Sequence, residues 1–260
     1  MLRSRIIPCL LLDRGRLYKT VRFTDAVYIG DPLNAVRIFN EKQVDELVVL
    51  DISATGRAVE PDYDLIEKLA SVCRMPLCYG GGVTRVDQVK KIISLGVEKV
   101  AISTGAIHDS SLVTASAAAV GSQSVVVVLD VRRSANGNYE VYLERGRSST
   151  GRGVVELARH FESAGAGEIV INNVDRDGLM QGYDLDLVSI VRGAISLPLT
   201  ALGGAGSVQD IRELLSAFYP LGAAAGSLFV FKGRYRAVLI NYPSEAAKDA
   251  IFAATSPASL

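Results

Sequence analysis

A valine-rich run that stops on a carboxylate, Ser124-Val-Val-Val-Val-Leu-Asp130, is where reactive chemistry would collect in this chain. A run that is apolar at every position is satisfied only by burial on both faces, so it reads as a central parallel strand. Reacting groups in parallel α/β proteins gather at the carboxyl ends of strands, which makes Asp130 the first candidate for a proton-transferring catalytic residue. The plain alternative is an acidic residue in a turn. Two glycine loops, Gly80-Gly-Gly82 and Gly203-Gly-Ala-Gly206, each follow a short apolar run and precede a helical pattern. Backbone N–H groups without side chains in front of them can close on an anion, and a helix amino terminus favours negative charge. Ser103-Thr104-Gly105 and Gly226-Ser227 supply a second element for each loop. One phosphate seat would then draw on Gly81, Gly82, Ser103 and Thr104, and the other on Gly203, Gly204, Gly226 and Ser227. The alternative reading is a pair of tight packing turns. In Asp175-Arg-Asp-Gly178, Asp177 and Gly178 are further candidates for contact with a phosphorylated substrate, while Asp184 suits the N-cap of the next helix. His108 and His160 fall in helical stretches and read as surface or cap residues.

The elements that must position these residues alternate from end to end. Apolar runs fall at 6–12, 47–51, 76–79, 97–102, 125–130, 168–173, 198–202 and 223–226, and helical patterns at 64–72, 86–95, 112–120, 153–164, 187–194 and 208–217. Eight strands alternating with helices is the number that closes a barrel, and 260 residues is a typical length for one (β/α)8 TIM barrel. A single domain over 1–260 is expected, with 244–260 forming a C-terminal helix and tail. An open doubly wound sheet is the weaker alternative, because no GxGxxG follows the first strand. Residues 14–31, which include Lys19, exceed a simple strand-to-helix turn and read as a mobile lid. Residues 132–150 carry the turn signal Ser-Ala-Asn-Gly-Asn and then alternate, which predicts a hairpin.

An internal repeat underlies the pattern. Glu46 in Val44-Asp-Glu-Leu-Val-Val-Leu-Asp51 matches Glu168 in Ala166-Gly-Glu-Ile-Val-Ile-Asn-Asn173, and the two glycine loops recur at about the same separation. Two duplicated half-barrels fit that spacing. The 28 basic and 28 acidic residues balance, which argues against a nucleic-acid binder or a membrane-surface protein. Cys9, Cys73 and Cys78 lack metal spacing and only two histidines are present, so no metal and no cofactor are expected. The start lacks the apolar core of a signal peptide and no apolar stretch reaches membrane length, so the reading is a cytoplasmic protein with reduced thiols.

Arg5-Ile-Ile-x-Cys9-Leu, Gly80-Gly-Gly82, Gly121-Ser-Gln-x-Val-Val-Val, Asp175-Arg-Asp-Gly, Gly182-Tyr-Asp and Gly203-Gly-Ala-Gly together resemble the cyclase (HisF) subunit family of imidazole glycerol phosphate synthase, in register over nearly the whole chain. The resemblance implies a (β/α)8 barrel that forms a heterodimer with a glutaminase (HisH-like) subunit docked at its amino-terminal face. Ammonia would pass through the barrel to a bisphosphorylated ribulosyl aminoimidazole-carboxamide, giving imidazole glycerol phosphate and an aminoimidazole-carboxamide ribotide. It further implies a gate of Arg5, Glu46, Lys99 and Glu168, a lid at Lys19 and paired strand-end aspartates at positions 11 and 130. This chain has Asp130 but Leu11, with Asp13 nearby, and Ser103 and Leu179 stand where the family has asparagine and threonine.

Leu11 and the ending Gly226-Ser-Leu-Phe-Val-Phe231 are similar to second-copy HisF-like proteins of surface-polysaccharide (O-antigen) clusters. There ammonia converts an acetamido sugar to an acetamidino sugar with an amidotransferase-like third protein. The expectation is therefore a HisF-like subunit diverged toward that chemistry. The alternatives are a working histidine-pathway cyclase, the related isomerase of that pathway, or a non-catalytic ammonia conduit.

Overall fold

The computed structural model describes residues 3–143 and 146–255. Eight parallel strands close on themselves: β1 (Arg5–Asp13), β2 (Leu47–Asp51), β3 (Leu77–Gly80), β4 (Lys99–Ile102), β5 (Val125–Arg133), β6 (Glu168–Asn173), β7 (Leu199–Leu202) and β8 (Gly222–Ala225). Each pairs with its sequence neighbours, and β8 returns to β1 through the register Arg5↔Gly222 to Pro8↔Ala225. This is a (β/α)8 TIM barrel. Its outer ring is α1 (Pro32–Glu41), α2 (Tyr63–Val72), α3 (Val86–Ser94), α4 (Ser111–Val120), α5 (Val154–Ser163), α6 (Leu185–Arg192), α7 (Val208–Phe218) and α8 (Glu245–Thr255). The C-terminal helix expected from sequence is α8; residues 256–260 lie outside the described residues.

Period-two alternation splits the strands into two apolar sets. On β5, Val125, Val127 and Leu129 face outward into the layer shared with Val113, Leu157 and Phe161, while Val126 and Val128 face the bore. On β1, Ile7, Cys9 and Leu11 join the bore and Ile6, Leu10 and Leu12 the outer layer. The wholly apolar valine run is thus explained by helices on one side and the barrel interior on the other. Helix starts follow side-chain chemistry: Asp31, Asp62 and Asp184 accept from Asn34, Leu65 and Leu187 backbone N–H, as expected for Asp184. The sequence pattern missed α1, whose buried Ala35, Val36 and Phe39 fall at helical spacing and whose clearest marker is Asp31-Pro32.

The two insertions sit at equivalent places in the two halves. Tyr139–Leu143 and Ser148–Gly153 form the expected hairpin, antiparallel to the end of β5. Residues 14–31, read from sequence as a lid loop, are also a hairpin: Arg16–Val21 pairs with the end of β1 and with Thr24–Gly30. The alternation in Arg16-Leu-Tyr-Lys-Thr-Val, with Leu17, Lys19 and Thr20 buried, accounts for the difference. Among the described residues no helix is long and apolar enough to cross a membrane.

Candidate functional site

The carboxyl ends of the strands converge on Asp130. Its Oδ1 accepts a hydrogen bond of 2.9 Å from Nδ2 of Asn172, its register partner on β6. Burial pushes the Asp130 carboxyl up to about 7, with Asn172 opposing the rise and Asp177 adding to it. A carboxyl poised near neutrality suits proton transfer. Asp177 reaches the same region from the loop after β6. It is buried, its Oδ2 accepts from the Thr20 hydroxyl at 3.3 Å, and its backbone oxygen accepts from Arg22 N–H at 3.0 Å. Burial raises its carboxyl too, opposed by the nearby Lys19 ammonium.

Lys19 enters from the first hairpin. Its Nζ donates to Cys9 O at 3.4 Å, and a Cβ on Gly226 would come within 1.9 Å of that nitrogen. Only a glycine at position 226 admits the ammonium there. Across the bore, position 11 holds a leucine that is 8% exposed and packs with Cys9, Val48 and Leu202. Asp13 is two residues on, at the strand's end, paired in register with Arg16.

The glycine loops have matching geometry. Gly81 and Gly204 have φ of +116° and +108°, and a Cβ on either would lie within 2.3 Å of a backbone oxygen, Asp51 O or Gly182 O respectively. Gly82 and Gly203 also have positive φ and close backbone neighbours. Close packing alone therefore requires these glycines, and a short helical turn follows the next strand in each half. One turn, Thr104–His108, starts after Ser103; the other, Ser227–Val230, starts after Gly226. The Ser227 hydroxyl, at the start of the turn after β8, is buried without a hydrogen-bond partner. Gly178 has φ of +72° and lies against Thr20 O.

At the opposite end Arg5, Glu46, Lys99 and Glu168 form one cluster. Arg5 donates to Glu46 and, at 2.8 Å, to Glu168, and Lys99 Nζ lies 2.9 Å from both carboxylates. Thr200 Oγ1 donates to Glu168 at 2.6 Å. Although burial alone would raise it, the Glu168 carboxyl is held well below the usual range by Arg5, Lys99 and Thr200. The cations are raised in turn by their carboxylate partners against the effect of burial. Between the two ends lies an interior cavity walled by Ile7, Val48, Cys78, Val126, Val170 and Leu202, which leaves about 20 Å³ for the centre of a water-sized molecule. That is room for about one such molecule.

The residues singled out from sequence thus fall into two groups at opposite ends of one bore, one around Asp130 and the other around Glu168. His108 and His160 are exposed and belong to neither. Sequence reasoning missed Asn172, Thr20 and Thr200, whose roles come from their partners Asp130, Asp177 and Glu168 across the fold and not from a local pattern. Among the described residues no group of three His, Cys, Asp or Glu side chains could hold a metal ion.

Comparison with known proteins bears on this arrangement. The model of the histidine biosynthesis protein family matches residues 5–236. A Leptospira interrogans protein provisionally named imidazole glycerol phosphate synthase subunit HisF is 50% identical over 253 residues, covering 97% of this chain and 100% of that protein. A Pseudomonas aeruginosa protein provisionally named imidazole glycerol phosphate synthase subunit hisF2 is 50% identical over 244 residues, 94% of this chain and 97% of the relative. The imidazole glycerol phosphate synthase subunit HisF of Alkaliphilus metalliredigens is 41% identical over 229 residues, 88% of this chain and 91% of its own.

Proposed function

The chain belongs to the histidine biosynthesis protein family, and from that premise we propose that it is a HisF-like synthase subunit that receives ammonia from a glutaminase through its barrel and delivers it to a phosphorylated acceptor other than the histidine precursor. The observation that carries this reading is the contrast between the two ends of the bore. The Arg5, Glu46, Lys99 and Glu168 cluster is complete, whereas position 11 at the mouth is a buried leucine. Buried ion pairs rarely add net stability over apolar packing, so a four-membered charged cluster is better accounted for by work at that end than by plugging the barrel. We assign it as the ammonia gate, with the glutaminase docked over it as the heterodimer partner.

At the mouth, Asp130 is the catalytic acid–base residue and Lys19 closes over the acceptor. Gly81, Gly82, Ser103 and Thr104 seat one phosphate, and Gly203, Gly204, Gly226 and Ser227 the other, with Asp177 and Gly178 between them. The unpartnered Ser227 hydroxyl supports an anion at the second seat. A proton shuttle between two strand ends needs a group on each, and losing one typically costs about 10²–10⁴-fold in rate. Leu11 therefore argues for different acceptor chemistry. Formation of an acetamidino sugar for surface polysaccharide, with an amidotransferase-like third protein, is the form it would take in a cytoplasmic, single-domain subunit.

A histidine-pathway cyclase is the second reading, favoured by the Asp130 carboxyl poised at about 7 and by the Alkaliphilus relative. Ammonium-driven turnover of the bisphosphorylated aminoimidazole-carboxamide substrate by the purified chain separates the two. We expect no turnover above background from folded protein that still binds inorganic phosphate. Turnover at an ordinary enzymatic rate would establish the cyclase. An Asp130→Asn variant that keeps full synthase activity in the assembled complex would leave the chain a conduit only.

A further inference from the structure

The polar atoms of Asn172, at the mouth, are unevenly used. It is 6% exposed, its Nδ2 is committed to Asp130 at 2.9 Å, and its Oδ1 is buried with no hydrogen-bond partner. Its surroundings on the bore side are apolar: Val170, two residues earlier on the same face of β6, and Leu202, its register partner on β7, both wall the interior cavity. Asn172 is therefore the next inward-facing residue of β6 beyond the cavity wall, level with Asp130 on β5. A buried carbonyl oxygen in this position needs a donor that the neighbouring walls do not provide.

We propose that Asn172 is a positioning residue that receives ammonia at the end of the bore, its Oδ1 accepting one N–H while Asp130 accepts another. The proposal rests on the conduit reading above and extends it to a named seat. Its chemistry follows from counting valences. Nδ2 gives one of its two N–H groups to Asp130, so the Asn172 and ionised Asp130 pair keeps more acceptors than donors: Asn172 Oδ1 and the second Asp130 oxygen against one remaining amide N–H. Ammonia offers three N–H donors and a single lone pair, so it can satisfy both acceptor oxygens and keep its lone pair for the acceptor. Held by two N–H groups from the β5–β6 side, the molecule turns that lone pair toward the space between the glycine loops, where the acceptor lies. A cavity with room for about one water-sized centre feeds this seat one molecule at a time.

The seat can be read without any phosphorylated substrate. Isotopically labelled full-length protein is titrated with ammonium chloride at pH 9, against sodium chloride at equal ionic strength, while the Asn172 carboxamide and Asp130 carboxyl resonances are followed by NMR. Saturable shifts at both residues with ammonium and none with sodium are expected. Asn172→Leu, of similar volume, should abolish the shift at Asp130, and Asn172→Asp, which keeps an acceptor oxygen in place, should retain it. A flat wild-type titration, or an Asp130 shift that survives in Asn172→Leu, overturns the seat; the wild-type arm decides even if the leucine variant fails to fold. Free ammonia reaches the mouth from solvent as well, so failure of the conduit or of acceptor turnover is a separate result.

Discussion

Replacing Asp130 by asparagine removes a charge that folding disfavours, and the effect on stability should depend on pH in a way fixed by the site. Burial lifts the carboxyl from 3.8 to about 7, so the native state holds its proton across a range where the unfolded chain has released it. Below pH 4 both states are protonated and Asp130 costs nothing. As pH rises toward 7, wild-type stability falls, because unfolding releases a proton; above 7 the loss is constant. At 1.36 kcal/mol per pH unit the full penalty is roughly 4 kcal/mol, and solvent at the open mouth trims this to about 2–4. Asparagine has no charge to desolvate, and its oxygen can still accept from Asn172 Nδ2, so Asp130→Asn should be more stable than wild type by an amount that grows with pH. Urea unfolding followed by circular dichroism measures this at pH 5 and pH 8, and the gap between variant and wild type should widen by roughly 2–3 kcal/mol between them. A gap that is the same at both pH values would falsify the account of Asp130 as a carboxyl raised by burial. Under the acid–base role proposed for Asp130, synthase activity should move the opposite way.

Leu11→Asp restores a carboxyl to the first strand end. It should destabilise the barrel by about 2–4 kcal/mol, because the group enters an apolar bore, and raise ammonium-driven cyclisation by about 10²-fold or more if that missing acid is what blocks the reaction. Thr200→Val deletes the hydroxyl that donates to buried Glu168 and should lower unfolding free energy by about 1–3 kcal/mol in urea titrations. Arg5→Ala leaves Glu46 and Glu168 buried with Lys99 alone and should cost about 3–5 kcal/mol at pH 7. Glu168 is held below its ordinary pKa, so the stability it confers is present above that value and lost as pH falls; the deficit of Arg5→Ala should shrink in unfolding measured below pH 4. Gly204→Ala forces a Cβ to within 2.2 Å of Gly182 O at a φ of +108° and should lower Tm by several degrees or prevent folding, whether or not an anion binds there.

Much of this architecture was legible because its signals are strong and local. Strands buried on both faces read as unbroken apolar runs, and the runs at 125–130 and 168–173 mark β5 and β6 to within a few residues. The charged cluster was visible because Glu46 and Glu168 open apolar runs at matched places in the two halves. What escaped was of two kinds. The first hairpin looked like a long loop because Arg16, Lys19 and Arg22 obscure an alternation that becomes clear only once Lys19 is seen to be buried against Cys9 O. Asn172 escaped because one asparagine at a strand end is ordinary in a sequence; its meaning comes from register with Asp130, which no local pattern encodes.

Register also explains how one chain serves two ends of a bore. Inward-facing positions recur every second residue, so β6 presents Glu168, Val170 and Asn172 in turn: a charge at the entrance, an apolar wall, and an amide at the exit. β1 presents Arg5, Ile7, Cys9 and Leu11 in the same order, but ends on an apolar side chain where β5 ends on Asp130. The two half-barrels therefore share an entrance and a wall and differ at the exit. A substitution at the exit can change what the mouth does to an acceptor while leaving the entrance cluster and the path between them as they were. The proposed divergence of acceptor chemistry with ammonia delivery kept is a change this layout admits readily, since it needs a new side chain in only one layer.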